Sequence, residues 1–180
     1  MVNGHYQVPV PWKLDWRQLP CNRHLAEKRL SFLRTRSAKN ESPLQRYGNI
    51  IADYERKGYG KRLRGFAATE LRFIPHHSVV NPHKPEKLRI VFDCAVRCGG
   101  TSLNDCIFSG PDLSNDIIGV LMRCRLHEIA MSADIEEMFL QVRLSPEDRA
   151  PFCFLKYTGS DIRQHSDVYQ LNVYPFGATS

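Results

Sequence analysis

The chain has 180 residues, with 25 Lys and Arg against 19 Asp and Glu, for a net charge of +6 and a pI near 9.1. Hydrophobic residues at 42% and charged residues at 24% exclude wholesale disorder, and 11 Gly with 11 Pro exclude collagen-like and low-complexity classes. The longest apolar run, residues 117–122, is too short to span a bilayer, so no membrane partner is expected. Lys13, Asp15 and Arg17 stand where a secretory signal would need apolar residues.

Residues 12–72 hold most of the basic excess, including Arg34, Arg36, Arg56, Lys57, Lys61, Arg62 and Arg64. Two helices are predicted there. The first follows Asn22 as N-cap, with Leu25, Ala26, Leu30 and Leu33 near helical spacing. The second has Ser42 as N-cap and Pro43 at the first position. Leu44, Tyr47, Ile51 and Tyr54 form its apolar face, and Gly58 ends it. Their basic faces are read either as solvated surface or as direct phosphate contacts.

From about residue 71 the texture changes to short strands at 72–74, 78–80 and 87–93, followed by a loop over 96–104. Ser109 and Pro111 are expected to open a helix whose apolar face is Leu113, Ile117, Val120, Leu121 and Cys124. Residues 129–135 read as a buried strand, 136–139 as a helical turn and 140–144 as a second strand. Ser145-Pro146 opens another helical turn. Segments 151–157 and 168–174 read as antiparallel strands joined by a polar loop. Strands with segregated helices imply an α+β fold.

Six cysteines form no C-x-x-C pair. A metal site from Cys94, Cys98 and His83 is weighed against ordinary reduced, mostly buried thiols of an intracellular protein; the thiols are the stronger reading.

Three segments carry candidate chemistry. In Met131-Ser132-Ala133-Asp134-Ile135-Glu136-Glu137-Met138-Phe139, a carboxylate at the end of an apolar strand needs a partner. Asp134 with the Ile135 carbonyl offers the hard oxygens that Mg²⁺ takes, or Asp134 caps the next turn. In Tyr174-Pro175-Phe176-Gly177-Ala178-Thr179-Ser180, the glycine allows a close approach, or simply makes a turn. In 84–93, Arg89 with Lys84 or Lys87 suits a triphosphate, or a charged edge strand.

Taken together and in order, these segments resemble the reverse transcriptase of Bel/Pao LTR retrotransposons. The resemblance runs through Gly4-His5-Tyr6, Pro9-Val10-Pro11-Trp12-Lys13, Leu19-Pro20-Cys21-Asn22-Arg23 and Phe73-Ile74-Pro75-His76-His77. It continues through Leu88-Arg89-Ile90-Val91-Phe92-Asp93, Ser102-Leu103-Asn104-Asp105-Cys106, Gly110-Pro111-Asp112-Leu113, Ala133-Asp134-Ile135 and Pro175-Phe176-Gly177-Ala178.

The resemblance implies the fingers and half of the palm of a right-hand polymerase over 71–180, preceded by a basic helical extension over 1–70. It makes Asp134 the first catalytic aspartate and a ligand of two Mg²⁺ ions, with the Ile135 carbonyl a further ligand. Arg89, with Lys84 or Lys87, would hold the triphosphate of a dNTP. Phe139 would sit beneath the deoxyribose and exclude a 2′-hydroxyl. Phe176 and Gly177 would pack on the nascent base pair, and Glu137 would lie near the 3′ side of the sugar. Lys61, Arg62 and Arg64 would contact an RNA or DNA template-primer through phosphates, with salt-dependent affinity. A parent enzyme would catalyse nucleotidyl transfer inside cytoplasmic virus-like particles.

The 180 residues contain no aromatic-x-Asp-Asp motif; the adjacent acidic pairs are Glu136-Glu137 and Glu147-Asp148. One carboxylate does not hold two Mg²⁺ ions about 4 Å apart, so the expectation is a truncated fragment that binds metal weakly and does not polymerise. Self-association through unpaired edges of strands 129–135 and 168–174 is also expected. The alternative is a non-catalytic nucleic-acid-binding or protein-interaction module derived from a retroelement.

Overall fold

The computed structural model describes residues 4–37, 41–65, 71–126, 128–157 and 166–178, with 34–37, 41–43 and 84–86 described by backbone alone. Among them, strands β1 (Tyr6–Val8), β2 (Gly60–Arg62), β3 (His76–Asn81), β4 (Lys84–Phe92), β5 (Val142–Leu144), β6 (Cys153–Tyr157) and β7 (Ser166–Leu171) occur with helices α1 (Arg23–Ser37), α2 (Glu41–Arg56) and α3 (Ile117–Cys124), the helices grouped between β1 and β2 and between β4 and β5. They form a parallel pair β1–β5, an antiparallel hairpin β3–β4 and an antiparallel three-stranded sheet ordered β2–β7–β6. Mixed helix and sheet were expected from the sequence. The parallel β1–β5 pair and β2 were not, because each is only three residues long.

Strand β6 explains why 152–155 is an unbroken apolar run. Cys153 and Leu155 face a cluster with Ala26 and Leu30 of α1, while Phe154 faces a second cluster with Tyr47 and Ile51 of α2. A strand covered on both faces has no position for a polar residue. Phe152, Phe154 and Phe92 are essentially inaccessible, each contributing about 2–3 kcal/mol of burial. Residues on both sides of position 70 therefore share one core.

The helices use most of their predicted apolar spacings, since Ala26, Leu30 and Leu33 of α1 and Tyr47 and Ile51 of α2 are buried, whereas Leu44, expected on the same face of α2, is exposed. Asn22 acts differently. Its side-chain oxygen accepts from the Phe73 amide at 2.8 Å and its Nδ2 donates to the Phe73 carbonyl at 2.6 Å. Asn22 thus occupies one edge of the segment expected as a strand at 72–74, which is reduced to a single bridge between Phe73 and Cys153. At the other end of the chain, buried Asp148 accepts from Val10 N–H at 2.9 Å and from Trp12 Nε1 at 2.7 Å, strapping the N-terminal segment to the 3₁₀ turn Pro146–Asp148.

Two expectations are corrected. No helix starts at Ser109: α3 begins after Asp116, whose carboxylate accepts from Gly119 N–H at 3.0 Å. Pro111 disfavours helix at Gly110, and Asp112 accepts locally from Ser114 N–H at 2.9 Å, which competes with a helical turn. Residues 129–135 form no strand. Ile129, Met131 and Ile135 are 79%, 92% and 63% exposed, because no described strand lies beside them to pair their main chain. The expected free edge at 168–174 is also absent, since β7 is flanked on both sides by β2 and β6. Most of the polar loop before β7, residues 158–165, lies outside the described residues.

Among the described residues, His76 is the buried histidine. His76 is fully enclosed between Tyr47, Phe92 and Phe154, with the Tyr47 hydroxyl 2.7 Å from its Nε2. Burial, and secondarily its neighbour His77, lowers its pKa to about 4 from 6.5. The fold thus favours the neutral ring. Its contribution is complete above pH 6.5 and is lost as pH falls from there toward 4, up to about 3 kcal/mol. Thermal melts should show a steep acid limb in this window, and His76→Phe should flatten it.

Candidate functional site

The site is built where β4 ends. Leu88, Ile90 and Phe92 face the interior, so the pleat turns Lys87 and Arg89 outward on the exposed face of the hairpin. Arg89 pairs with Val79 across the hairpin and stands about 10 Å along the strand from Phe92. The side chain of Lys84, the alternative companion to Arg89, lies outside the described residues.

At the Phe92 end, Gly177 lies against the β4 backbone. A methyl group on Gly177 would fall 2.3 Å from the Phe92 carbonyl oxygen, and its φ of +111° belongs to the region L side chains avoid. The Gly177 carbonyl accepts from Asn104 Nδ2 at 3.1 Å. This seat directs Phe176 outward, 58% exposed, where its ring meets Phe139 edge-on at 5.3 Å. The fold therefore brings together Phe139, Phe176 and Gly177 from segments nearly forty residues apart. Thr179 and Ser180 of the same motif lie outside the described residues.

Phe139 belongs to a 3₁₀ turn, Met138–Gln141, entered through Glu137 at φ 53° and ψ 37°. Glu137 is the one non-glycine residue with positive φ among those described, at a cost of about 1–2 kcal/mol. Its carboxylate receives Lys57 Nζ at 2.8 Å on both oxygens and the Tyr59 hydroxyl at 3.0 Å. The hydrogen bond to Glu137 holds Lys57 above the ordinary lysine value, and burial followed by the same carboxylate pushes Tyr59 up. Gln141 Nε2 donates to the Glu136 carbonyl at 3.2 Å and lies 3.4 Å from the Tyr59 hydroxyl. Sequence reading missed Lys57, Tyr59 and Gln141, because nothing local to Lys57 signals a contact eighty residues away. The Lys-Gly pair read only as a helix end.

Asp134 and Ile135 stand on the exposed segment leading into this turn, not at the tip of a buried strand. Asp134 does not cap the turn that follows, since Glu137 occupies that position without a side-chain cap bond. Asp134 with the Ile135 carbonyl would supply two oxygens to a cation, and Glu137 is engaged by Lys57. Among the described residues no group of three or more His, Cys, Asp or Glu side chains is placed to hold a metal. These donors do not by themselves complete the shell of an octahedral Mg²⁺ ion. Cys94 and Cys98 likewise form no such group. Burial raises the Cys94 thiol to about 12, as a buried structural thiol requires.

The basic residues of β2 and its exit lie along the sheet edge beside β7. Lys61 is exposed opposite Gln170, Arg62 is ion-paired with Asp167, and Arg64 is exposed beyond the strand. No helix among the described residues is long and apolar enough to cross a membrane.

No family model and no curated protein matches the chain. Among solved structures, it is similar to a foamy viral protease–reverse transcriptase solved in complex with double-stranded DNA, at 14% identity and a TM-score of 0.51. The match covers 74% of this chain and 20% of that one, so the chain spans about a fifth of its structural neighbour. The fold is reverse transcriptase-like.

The seat of Gly177 is directly testable. Gly177→Ala should destabilise the protein by about 2 kcal/mol or more, because both the clash and the positive φ must be relieved. Gly119→Ala in α3, which meets nothing closer than an ordinary 3.5 Å contact, should be neutral or stabilising by about 1 kcal/mol. Urea midpoints of the two variants check the contrast.

Proposed function

We propose that the chain is a segment of a Bel/Pao-type reverse transcriptase, comprising fingers and the first part of the palm behind a basic helical extension. The observation that carries this reading is the contact between Phe139 and Phe176 at the foot of β4, within a reverse transcriptase-like fold. Chain topology has no need to join the half-buried Phe139 ring to the exposed Phe176 ring beside a strand bearing Arg89. A nucleotide-binding surface does need them joined.

On this reading Arg89, with Lys84 or Lys87, meets the triphosphate of a dNTP as a charged fork and point charges. Phe139 closes the space where a 2′-hydroxyl would sit, and the Phe176–Gly177 bend packs against the base pair. Lys61, Arg62 and Arg64 track template-primer phosphates; Arg62 must exchange its Asp167 partner to do so. Asp134 and the Ile135 carbonyl contribute part of a Mg²⁺ shell whose remaining ligands come from the nucleotide and from carboxylates these residues do not supply. The parent acts in cytoplasmic particles.

The 180 residues alone should not polymerise. Primer extension with Mg²⁺ or Mn²⁺ should give no Asp134-dependent product, whereas incorporation lost in Asp134→Asn would overturn that. Mn²⁺–dGTP should bind, and Arg89→Met should weaken binding at least five-fold with little change in melting temperature. Binding of an RNA/DNA hybrid that falls steeply between two salt concentrations, with no dGTP binding, would instead favour the non-catalytic nucleic-acid module.

Self-association is proposed through α3 rather than through strand edges. Ile117, Ile118, Leu121 and Met122 are all more than half exposed on a helix with Asp116 at one end and Arg123 at the other. An antiparallel second copy would pair these charges while covering the apolar face. Sedimentation should show concentration-dependent dimerisation that Leu121→Glu abolishes.

A further inference from the structure

We propose that Lys57 and Tyr59 are positioning residues for the nucleotide site: by gripping the Glu137 carboxylate they hold the turn between Asp134 and Phe139 left-handed and so aim the Phe139 ring at Phe176. The inference rests on the reading of Phe139 as the ring that screens the sugar, and extends it to residues of the helical extension.

The grip is well mounted. Lys57 closes α2 through its amide to the Asp53 carbonyl at 2.8 Å, and Tyr59 N–H returns to the Tyr54 carbonyl at 2.8 Å. Between them Gly58, at φ +73°, reverses the chain so that the ammonium and the phenol converge on one carboxylate. Asn172 fixes this corner from the sheet side. Its Nδ2 donates to the Gly58 carbonyl at 3.1 Å and its amide to the Tyr59 carbonyl at 2.7 Å. The donors are thus anchored to a helix end and to the end of β7.

The acceptor is the opposite case. Residues 129–135 have no strand partner and carry exposed apolar side chains. A glutamate does not choose the left-handed region unaided, so the conformation persists because something outside the turn holds it. Within the turn the Leu140 amide donates to the Glu137 carbonyl, and from outside it three hydrogen bonds, mostly shielded from solvent, grip the Glu137 carboxylate. Two residues later stands Phe139. A φ change at Glu137 swings that ring away from Phe176, so the geometry that would distinguish deoxyribose from ribose depends on a cation at the turn that follows α2.

The test uses the full chain. Two-dimensional NMR of wild type should show NOEs between the Phe139 and Phe176 rings and the coupling and Cα/Cβ shifts of a left-handed Glu137. Lys57→Met should weaken those NOEs and move Glu137 to ordinary right-handed or extended values, while Lys57→Arg should preserve both. Affinities for Mn²⁺–dGTP and Mn²⁺–GTP, measured in parallel, should differ in wild type, and their ratio should fall at least five-fold in Lys57→Met with dGTP affinity itself changed less. If Lys57→Met does not fold, Glu137→Gln and Tyr59→Phe should show smaller losses in the same direction. Variants that keep the ring NOEs and the left-handed Glu137 would overturn the proposal. Wild type that does not distinguish dGTP from GTP would overturn the role of Phe139, while the NMR measurements would still decide whether the grip holds the turn.

Discussion

A carbonyl oxygen with no room beside it for a methyl group joins the parts of this molecule. The Phe92 oxygen ends β4, and Gly177 is pressed against it closely enough that any side chain would collide. Because Phe92 faces inward, the strand's alternation turns Arg89 outward; because Gly177 is held down, Phe176 is turned up. The two surface features of the candidate site both stem from the end of β4, one from the strand's alternation and one from the close backbone contact with Gly177. Asn104 secures the same glycine from a third segment, so the loop after β4 reinforces the seat.

The chain is divided between what this contact and the core fix and what they leave free. Strand β6 is covered on both faces over Cys153–Leu155, and His76 is enclosed by rings, so these are firmly packed positions of the described structure. From Leu113 to Met138 the balance reverses, with apolar residues at helical and strand-like spacings exposed to water. Such a surface is unfavourable alone, and it adjoins the residues with the strongest functional reading. Asp134 lies on the loosely held side of the molecule and Arg89 on the firmly held side. The ring pair and the Glu137 grip are the links between them.

The legibility of the sequence follows the same division. The spacing of Ala26, Leu30 and Leu33 reported a buried helix face, and the run 152–155 reported a strand, because in each case burial is dictated by neighbours along the chain. The antiparallel pairing of β6 with β7 was legible for the same reason. Residues 129–135 misled: the composition is that of a buried strand, yet the described structure puts nothing against it. The helix expected at Ser109 misled through a different cause, a proline and a local aspartate turn that delay α3 to Asp116. Asn22 stands at the start of α1 as its sequence suggests, but its side-chain amide pairs with the Phe73 main chain instead of capping the helix.

By itself, the amino-acid sequence determined the apolar faces, the reversal at Gly58 and the order of the motifs, because each depends on residues within a few positions of one another. The tertiary structure alone decided that Phe139 meets Phe176, that Gly177 sits on Phe92, and that Lys57 reaches Glu137. Those contacts join segments separated by 37, 85 and 80 positions. No periodicity or spacing encodes a pairing at that range. It arises only when a common core fixes where each backbone runs.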